Sequence, residues 1–349
     1  MNSLYFKKCC RLVQWQGYSY GDRGDPAVPR HGSNWSREPC RIVSHWHCAI
    51  VVALDCQTMT LVTVAENQAI LQALLKSGQA ARQAASEPFE VFEKGREDYV
   101  TTVDQALDRY LATAFAQQFP ADGVVTEENQ PSAAAFLHDH RRLWFIDPID
   151  GTEDFIHRGE HYSIMVGLLI QHQPQAGWVY APAQNRLYWG GKDWGLFQQD
   201  DQGETLPLAP APQVPSHHQT MLLGDRDQRR FGTAIAAHLP GLSFEAIGSF
   251  GLKVLEVIKG QAGLYVYLNG RVKLWDTTGP LALARAAGLV CCDLEGQPIR
   301  FDPNSIYPQS LIHRQPLVIG WPTCVEACLP GLRQAIQDVR QQELALAHR

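Results

Sequence analysis

The fold is decided by residues 143–152, which read LWFIDPIDGT. The apolar run Leu143–Ile146 is typical of a strand that is buried on both faces, and a proline and Gly151 then favour a turn. Asp147 and Asp150 leave this turn in fixed directions. Because a charged group beside a buried strand costs free energy unless a cation accompanies it, we expect the strand to stop at Asp147 and to present both carboxylates to a binding site.

The oxygen atoms of this turn suit a hard cation. Asp147, the carbonyl of Ile149 and Asp150 are ligands of the kind that Mg²⁺ prefers. Gly151 and Thr152 would then open a helix whose free N–H groups face an anion held by that cation. For the segment taken alone, a turn that leads into a capped helix is the simpler interpretation.

Further acidic residues stand at the ends of other predicted elements. Asp104 and Asp276 each lie near a predicted helix start, where a capping carboxylate contributes roughly 1 kcal/mol. Glu127 instead follows a short apolar strand, and its neighbour Glu128 can only repel it. A metal cluster accounts for all of these acids together, whereas helix caps account for only some of them.

The composition bounds the class of protein. The chain has 349 residues, of which 45% are hydrophobic and 19% charged, so it can form a sizeable core in about two domains. The sequence has no apolar run near the length of roughly 18 residues that spans a bilayer, which predicts a soluble protein without integral membrane contact. The net charge of −6 argues against a nucleic-acid polymer as partner. The net charge does not exclude a small anionic substrate that is bound through a metal.

Residues 1–58 differ from the rest of the chain. They carry a net charge of +3 and five of the nine cysteines, and they lack helical or strand periodicity. A secretory signal would need an apolar segment behind the first charges, a transit peptide would need an amphipathic helix, and a metal site at His45, His47 and Cys48 would need a C-x-x-C pair. We interpret the segment as a disordered leader or start-site extension that is dispensable ahead of Met59.

The pattern of residues 59–349 predicts two structural halves. Residues 59–205 read as an α+β, metal-binding half, with an amphipathic helix within 61–85 and an antiparallel meander over 162–189. Residues 206–349 alternate strands and helices and read as an α/β half that completes the site. The segment 200–218, rich in Gln, Asp, Pro and Gly, is the best boundary between them.

Two element boundaries bear directly on the acidic residues. A β-branched run predicts a strand over 97–103, after which Asp104 would cap the next helix. The late acid, Asp276, would stand ahead of a helix over 280–287.

The cysteines outside the leader, Cys291, Cys292, Cys324 and Cys328, match neither a disulfide framework nor a zinc ribbon. We interpret them as small core residues in a reducing cytoplasm.

The same motifs resemble a known family. The run 144–155, WFIDPIDGTEDF, resembles the D-P-[IL]-D-G-T-x-x-F signature of the inositol monophosphatase superfamily. Residues 98–104, 127–128 and 275–276 are similar to its D-x-V-T-x-x-D, double-Glu and W-D motifs. The resemblance covers about residues 60–325 in the family's order. It implies an α/β fold of the layered αβαβα sandwich type.

The resemblance also implies roles for individual residues. It implies two or three Mg²⁺ ions, held by Glu127, Asp147, the Ile149 carbonyl, Asp150 and Asp276. Thr152 and Asp104, together with Glu127, match the residues that activate the attacking water. The N–H groups of Gly151 and Thr152 match those that hold the phosphate.

One branch of the superfamily fits best. Residues 248–253 and 260–265, which read GSFGLK and GQAGLY, resemble the G-S-x-x-K and G-Q-A-x-L-Y segments of 3'(2'),5'-bisphosphate nucleotidases. This resemblance implies Ser249 and Lys253 as substrate contacts, with Lys253 meeting a second phosphate. A solvated helix residue is the alternative for Lys253. Ser249 stands four residues before Lys253 here, whereas the branch has a serine three residues before its lysine.

The resemblance therefore implies a Mg²⁺-dependent, lithium-sensitive phosphatase, and the cysteine pattern predicts that it lies in the cytoplasm. We expect it to convert adenosine 3',5'-bisphosphate to AMP and phosphate, a reaction of sulfur metabolism. An inositol-1-monophosphatase or a fructose-1,6-bisphosphatase-type sugar phosphatase is the alternative among enzymes. A catalytically inactive nucleotide- or metal-binding homologue is the alternative outside them, and the oligomeric state is left open.

Overall fold

A computed structural model describes residues 61–95, 97–212 and 219–347. The interpretation of residues 1–58 as a disordered leader lies outside these ranges. Among the described residues, no helix is both long and apolar enough to cross a membrane. The described residues belong to one compact unit, and the predicted division at residue 205 stays a prediction.

The described part of the chain contains α-helices and one longer 3-10 helix. The α-helices are α1 (Val64–Ala85), α2 (Thr102–Gln118), α3 (Thr152–Ile156), α4 (Asp225–His238), α5 (Phe250–Ile258), α6 (Leu274–Ala286) and α7 (Pro322–Ala347). The 3-10 helix is Gln130–Leu137.

The strands form two large sheets and two short hairpins. The hairpins pair β1 (Val91–Gly95) with β2 (Asp98–Thr101) and, late in the chain, β14 (Ile306–Tyr307) with β15 (Ile312–His313). The first large sheet contains β3 (Gly123–Thr126), β4 (Leu143–Asp150), β5 (Ser163–Ile170), β6 (Gln173–Ala181), β7 (Arg186–Gly191), β8 (Gly195–Gln199) and β9 (Thr205–Pro207). The second contains β10 (Gln219–Leu223), β11 (Leu242–Glu245), β12 (Leu264–Tyr267), β13 (Val290–Cys292) and β16 (Leu317–Gly320).

The first sheet is buried on both faces at its central strands, β4 to β7. Its strands lie in chain order from β3 to β9; β3 and β4 are parallel, and the following neighbours are antiparallel. Trp144 packs against Phe119, the C-cap residue of α2, with ring centroids 4.6 Å apart, in a cluster shared with α1. Phe145 belongs to the cluster on the opposite side, which contains Leu252 of α5 and Leu281 of α6. Burial on both faces explains why residues 143–146 of β4 form a continuous apolar run.

The second sheet completes the layers. Its order is β11-β10-β12-β16-β13, with β10 parallel to both β11 and β12. Helices α5 and α6 pack against each other, α6 packs on the first sheet, and α5 contacts strands of both sheets. Helices α4 and α7 pack together and contact β11 and β16. The result is the expected αβαβα sandwich.

The structure corrects the predicted start of α2. Strand β2 ends at Thr101, and α2 begins at Thr102, inside the predicted strand. Thr101 is the N-cap, and Asp104 is the third helical residue, whose Oδ2 accepts the Thr101 N–H at 2.9 Å. The prediction of Asp104 as the capping residue was therefore wrong by one turn, because Thr101 accepts the first helical N–H groups instead.

The predicted start of α6 was also wrong. Helix α6 begins at Leu274 rather than at residue 280, so Asp276 lies in its first turn and Pro280 lies inside it. Asp276 Oδ2 accepts the Lys273 N–H at 2.6 Å, which satisfies a backbone donor at the helix start.

The four cysteines in the described part of the chain are all buried and form no disulfide with one another, as predicted.

Candidate active site

The carboxylates of Glu127 and Asp147 are brought together by two parallel strands. Thr126 of β3 pairs with Ile146 of β4, and the Glu127 N–H donates to the Ile146 carbonyl at 3.1 Å. Glu127 follows β3 and Asp147 follows the paired Ile146 within β4, so the two acids lie at the same sheet edge, where parallel strands place their binding sites.

A bulge in β4 adds Asp150 to this edge. The strand does not stop at Asp147 as predicted; it continues to Asp150, with Asp147 opposite Met165 and Asp150 opposite Ser163. Three steps along β4 thus oppose two along β5, so one extra residue turns both carboxylates toward the same side. Pro148 fits within the bulge because it has no N–H to leave unpaired.

Asp276 reaches the same site on α6, which lies very close to the first sheet. A Cβ atom at Gly167 of β5 would lie 2.3 Å from the Gly279 nitrogen, and one at Gly177 of β6 would lie 2.1 Å from the Gly279 carbonyl oxygen. Such distances are impossible for a side chain, so only glycine at these positions permits the contact. This close approach sets the position of Asp276 relative to Asp147.

The cluster carries more negative charge than its surroundings neutralise. Burial and the neighbouring Glu127, Asp150 and Asp276 raise the pKa of Asp147 well above its ordinary value. Burial, Glu127 and Asp150 likewise raise the pKa of Asp276 to about 7. Asp147 is 1% exposed, and its Oδ1 has no hydrogen-bond partner among the described residues. A cation bound here would relieve this repulsion and satisfy the unpaired oxygen.

Lys94 of β1 neutralises part of this charge. Its Nζ donates to Glu127 Oε1 at 2.9 Å and to Glu128 Oε1 at 2.7 Å. Burial and repulsion by Glu127 raise the pKa of Glu128 to about 7, against the attraction of Lys94. Sequence reasoning missed Lys94, since its partners lie 33 and 34 residues away and no motif marks it.

Within residues 61–95, 97–212 and 219–347, no group of three or more His, Cys, Asp or Glu side chains is arranged so that it could hold a metal ion as it stands. Two of the acids are already engaged in hydrogen bonds. One Glu127 oxygen is bonded to Lys94, and one Asp150 oxygen to Ser249. Binding a cation would therefore require these side chains to adjust.

Thr152 and Asp104 form a hydrogen-bonded pair, as the predicted roles require. Thr152 Oγ1 lies 3.2 Å from Asp104 Oδ1 and 3.0 Å from the Ile149 carbonyl oxygen. The single hydroxyl proton can serve only one of these acceptors at a time. Burial raises the pKa of Asp104 to about 6, although hydrogen bonds from Thr101 lower it. Asp104 is thus placed to accept a proton through Thr152 near neutral pH.

Gly151 makes the turn between β4 and α3. Its φ of +89° is a left-handed conformation that side chains disfavour. A Cβ atom there would also lie 2.9 Å from the His161 carbonyl oxygen and 3.1 Å from the Ser249 nitrogen. Thr152 follows as the first residue of α3.

Ser249 contacts a carboxylate and a helix. Its hydroxyl donates to Asp150 Oδ2 at 2.5 Å and accepts the Leu252 N–H at 3.0 Å as the N-cap of α5. Ser163 Oγ lies 2.9 Å from the Ser249 hydroxyl. The structure therefore places Ser249 where it orients Asp150, and its predicted contact with substrate stays a prediction.

Lys253 is buried rather than solvated. The side chain is 4% exposed, and its Nζ donates to the carbonyls of Ile247 at 2.5 Å and Gly248 at 2.9 Å. Burial lowers the pKa of Lys253 to about 8 in spite of nearby carboxylates such as Asp150. The interpretation of Lys253 as a solvated helix residue was wrong, because α5 packs this face against the core.

One cavity of about 540 Å³ is lined by several of these residues. Its wall includes Glu127, Gly151 and Thr152 near the carboxylates, and Arg226 and Lys253 from the later part of the chain. Its volume lies in the range of small-molecule sites, which are roughly 300–1,000 Å³.

Residues 61–328 match the profile of the Inositol monophosphatase family, which is more than half of the chain. The chain belongs to the inositol monophosphatase family. It is therefore a phosphoric monoester hydrolase of a metal-dependent family that acts on small phosphorylated substrates.

Curated relatives share this region at modest identity. The 3'(2'),5'-bisphosphate nucleotidase CysQ of Escherichia coli K12 is 28% identical over 246 residues, which cover 68% of this chain and 94% of that protein. Human inositol monophosphatase 2 is 26% identical over 242 residues, which cover 66% of this chain and 81% of that protein.

Solved structures share the fold. The IMPase of Thermotoga maritima superimposes with a TM-score of 0.65 at 20% identity, over 79% of this chain and 99% of that one. Inositol monophosphatase II of Staphylococcus aureus gives a TM-score of 0.60 at 19% identity, over 80% of this chain and 98% of that one.

Proposed function

We propose that this inositol monophosphatase family member is a Mg²⁺-dependent 3'(2'),5'-bisphosphate nucleotidase that converts adenosine 3',5'-bisphosphate to AMP and phosphate. The carrying observation is the single cavity that extends from Glu127 and Thr152 to the cationic side chains of Arg226 and Lys253. A substrate with one phosphate near Glu127 and Thr152 and a second anionic group within reach of Arg226 and Lys253 would fit this arrangement. The similarity to the E. coli nucleotidase over 94% of its length supports the same substrate class.

The donor set fits a hard divalent cation. Glu127, Asp147, the Ile149 carbonyl, Asp150 and Asp276 would hold two or three Mg²⁺ ions, since all of these groups offer oxygen. The unpaired Asp147 Oδ1 and the raised pKa values of Asp147 and Asp276 support this assignment. Bound divalent cations would supply Lewis-acid stabilisation of the phosphoryl oxygens and lower the pKa of a nearby water.

The chain's own residues would guide the water and the phosphate. Thr152 Oγ1 accepts a proton from the attacking water and passes its own proton to Asp104 Oδ1. The water oxygen forms a bond to phosphorus as the bond from phosphorus to the 3'-oxygen breaks. The leaving 3'-oxygen takes a proton from solvent, which gives AMP and inorganic phosphate. The N–H groups of Gly151 and Thr152, at the start of α3, would orient the phosphate for this displacement.

Related proteins support nucleotides and cations as ligands. Solved relatives are described as bound to 2'AMP, as complexed with NADP and Ca²⁺, and as an inhibitory complex soaked in LiCl. We propose that this chain also accepts a nucleotide phosphate and that Li⁺ inhibits it. A cytoplasmic location and a role in sulfur metabolism stay predictions that follow from the proposed substrate.

Inositol 1-phosphate is the second candidate substrate. Human inositol monophosphatase 2 is similar at 26% identity, close to the value for the nucleotidase. An inositol monophosphate carries no second phosphate, so it would leave Arg226 and Lys253 without an anionic partner from the substrate. A fructose 1,6-bisphosphate-type sugar phosphate carries two and is the further alternative. An inactive homologue is disfavoured, because the metal ligands and the Thr152–Asp104 pair are all present.

A phosphate-release assay with Mg²⁺ separates these substrates. Adenosine 3',5'-bisphosphate, inositol 1-phosphate and fructose 1,6-bisphosphate are compared at equal concentrations, with a chelator as control. We expect kcat/KM to be highest for the nucleotide and activity to vanish with the chelator. A higher kcat/KM for inositol 1-phosphate would show that the nucleotidase proposal is wrong.

A further inference from the structure

The two cationic side chains of the cavity wall, Arg226 and Lys253, differ in how well they could bind an anion. Lys253 lines the cavity wall, but it is buried and its ammonium already donates to two backbone carbonyls. At most one of its three N–H donors remains for a ligand. Lys253 therefore contributes positive charge while it holds the loop at Ile247 and Gly248, and it is poorly placed to bind a second phosphate alone.

Arg226 is more accessible. It is the second residue of α4, and its side chain is 31% exposed on the wall of the same cavity. A guanidinium presents five N–H donors in a planar fork, a geometry that matches the oxygen atoms of a phosphate. Arg226 therefore has both the accessibility and the donors that Lys253 lacks.

Glu97 already accepts hydrogen bonds from part of the Arg226 guanidinium. Arg226 Nε donates to Glu97 Oε2 at 2.6 Å, and its Nη2 donates to the Glu97 backbone carbonyl. The Glu97 carboxylate is 45% exposed, and an exposed ion pair contributes only about 0–1 kcal/mol. A phosphate with nearly two negative charges can therefore compete with it.

Neighbouring acids make a cation necessary at this end of the cavity. The carboxylates of Asp154 and Asp225 also belong to the cavity wall. A second phosphate would be repelled there unless a guanidinium or ammonium lay against it.

We infer that Arg226 binds the second phosphate of the substrate and that this phosphate displaces the Glu97 carboxylate. The inference rests on the proposed bisphosphate substrate and names its specificity-determining residue. The first phosphate would stay at Gly151 and Thr152, in the acidic part of the cavity.

The test compares two substrates that differ only in the second phosphate. Phosphate release from adenosine 3',5'-bisphosphate and from adenosine 3'-monophosphate is measured for the wild type, Arg226→Ala and Arg226→Gln. Arg229→Ala is the matched control, because Arg229 Nη2 lies 3.8 Å from the same Glu97 and its side chain is 64% exposed, but it is not among the described residues of the cavity wall. Thermal unfolding checks that each variant is folded.

We expect the Arg226 variants to lose roughly 10- to 150-fold in kcat/KM on the bisphosphate, as for a lost charge-assisted contact, and to keep their activity on the monophosphate within about threefold. The Arg229→Ala variant should match the wild type on both. An equal loss on both substrates would show that Arg226 only anchors the β1–β2 hairpin, and no loss on either would show that it does not bind the phosphate. If the wild type itself shows no preference for the bisphosphate, the proposed function fails and this inference fails with it. If that preference exists and persists in Arg226→Gln, only the inference fails.

Discussion

Ser249 Oγ donates a 2.5 Å hydrogen bond to Asp150 Oδ2, although the two residues are 99 positions apart in the sequence. The bond joins the N-cap of α5 to a carboxylate at the end of β4. The Gly251 N–H donates to the same oxygen at 2.9 Å. The start of α5 therefore orients the Asp150 carboxylate through its Oδ2.

We expect Ser249→Ala to destabilise the protein and to weaken its binding of Mg²⁺. The variant loses an N-cap, which costs roughly 1 kcal/mol, and a hydrogen bond to a buried carboxylate, which costs a further ~1–3 kcal/mol. Chemical denaturation with and without Mg²⁺ measures both effects. Ser163→Ala is the control, because its hydroxyl contacts the same oxygen at 3.4 Å but caps no helix. A loss for Ser249→Ala no larger than that for Ser163→Ala would contradict this account.

The glycine contact between α6 and the first sheet predicts a second effect. We expect Gly177→Ala to lower activity and stability together, because its Cβ would lie 2.1 Å from the Gly279 carbonyl oxygen and push α6, with Asp276, away from Asp147. The cost of such a backbone clash is typically ~1–3 kcal/mol or more. Gly232→Ala in α4 is the control, since its Cβ would meet only the flexible side chain of Gln228 at 3.3 Å. Thermal unfolding and phosphate release should separate the two variants, and equal behaviour would refute the contact.

The raised pKa values predict how the metal-free protein responds to pH. The pKa values of Asp104, Glu128 and Asp276 are raised to about 6, 7 and 7, from 3.8, 4.5 and 3.8. Between pH 4 and 7 the folded state therefore keeps protons that the unfolded state has released, and stability falls as the pH rises. In a chelating buffer we expect the free energy of unfolding to drop by ~2 kcal/mol or more from pH 5 to pH 7.5.

This pH dependence has two controls. Added Mg²⁺ should remove most of the fall, because a cation favours the ionised carboxylates. Asp276→Asn should make the fall shallower, since it lacks one of the titrating groups. A metal-free protein that is more stable at pH 7.5 than at pH 5 would contradict the description of the cluster.

The contacts of Lys94 predict its effect on the metal-free protein. We expect Lys94→Met to destabilise the metal-free protein by about 1–3 kcal/mol, because Glu127 and Glu128 lose the cation between them. Mg²⁺ should stabilise this variant more than the wild type, since the ion replaces the missing charge. Lys259→Met is the control, as Lys259 pairs with Glu256 at 2.5 Å outside the cavity wall. Thermal unfolding with and without Mg²⁺ gives the comparison, and equal Mg²⁺ shifts for both variants would argue against the role of Lys94.

The acidic residues could be predicted from the sequence because local pattern marks them. Asp147 follows a run of apolar residues, and Glu127 follows another, so strand ends and charges coincide. The layered fold could be predicted for the same reason, since buried strands and amphipathic helices leave distinct periodicities. The motifs that contain both acids then indicated one family, and the match of residues 61–328 to that family's profile confirms it.

The contacts of the cationic side chains could not be predicted, because their partners are distant in sequence. Lys94 meets Glu127 from 33 residues away, and Arg226 meets Glu97 from 129 residues away. The burial of Lys253 could not be predicted either, since it depends on how α5 packs between the sheets. Local pattern carries no information about which charged side chains a fold brings together.

Helix starts were the weakest part of the prediction. Thr101 and Asp104 are both good capping residues, and only the structure shows that Thr101 is the cap. Pro280 suggested the first turn of a helix, where proline is common, yet it lies inside α6. The tight contact of Gly279 with the first sheet holds this helix in place in spite of the proline.

The central claim is that the carboxylate cluster holds the cations for phosphate hydrolysis. Phosphate release from adenosine 3',5'-bisphosphate in saturating Mg²⁺, measured for Asp147→Asn against the wild type, tests it most directly. The substitution keeps the size of the side chain and removes its charge, and the exposed Asp139→Asn serves as control. We predict that folded Asp147→Asn loses roughly 10²-fold or more in kcat while Asp139→Asn keeps full activity. A folded Asp147→Asn variant with near-normal turnover would contradict the account.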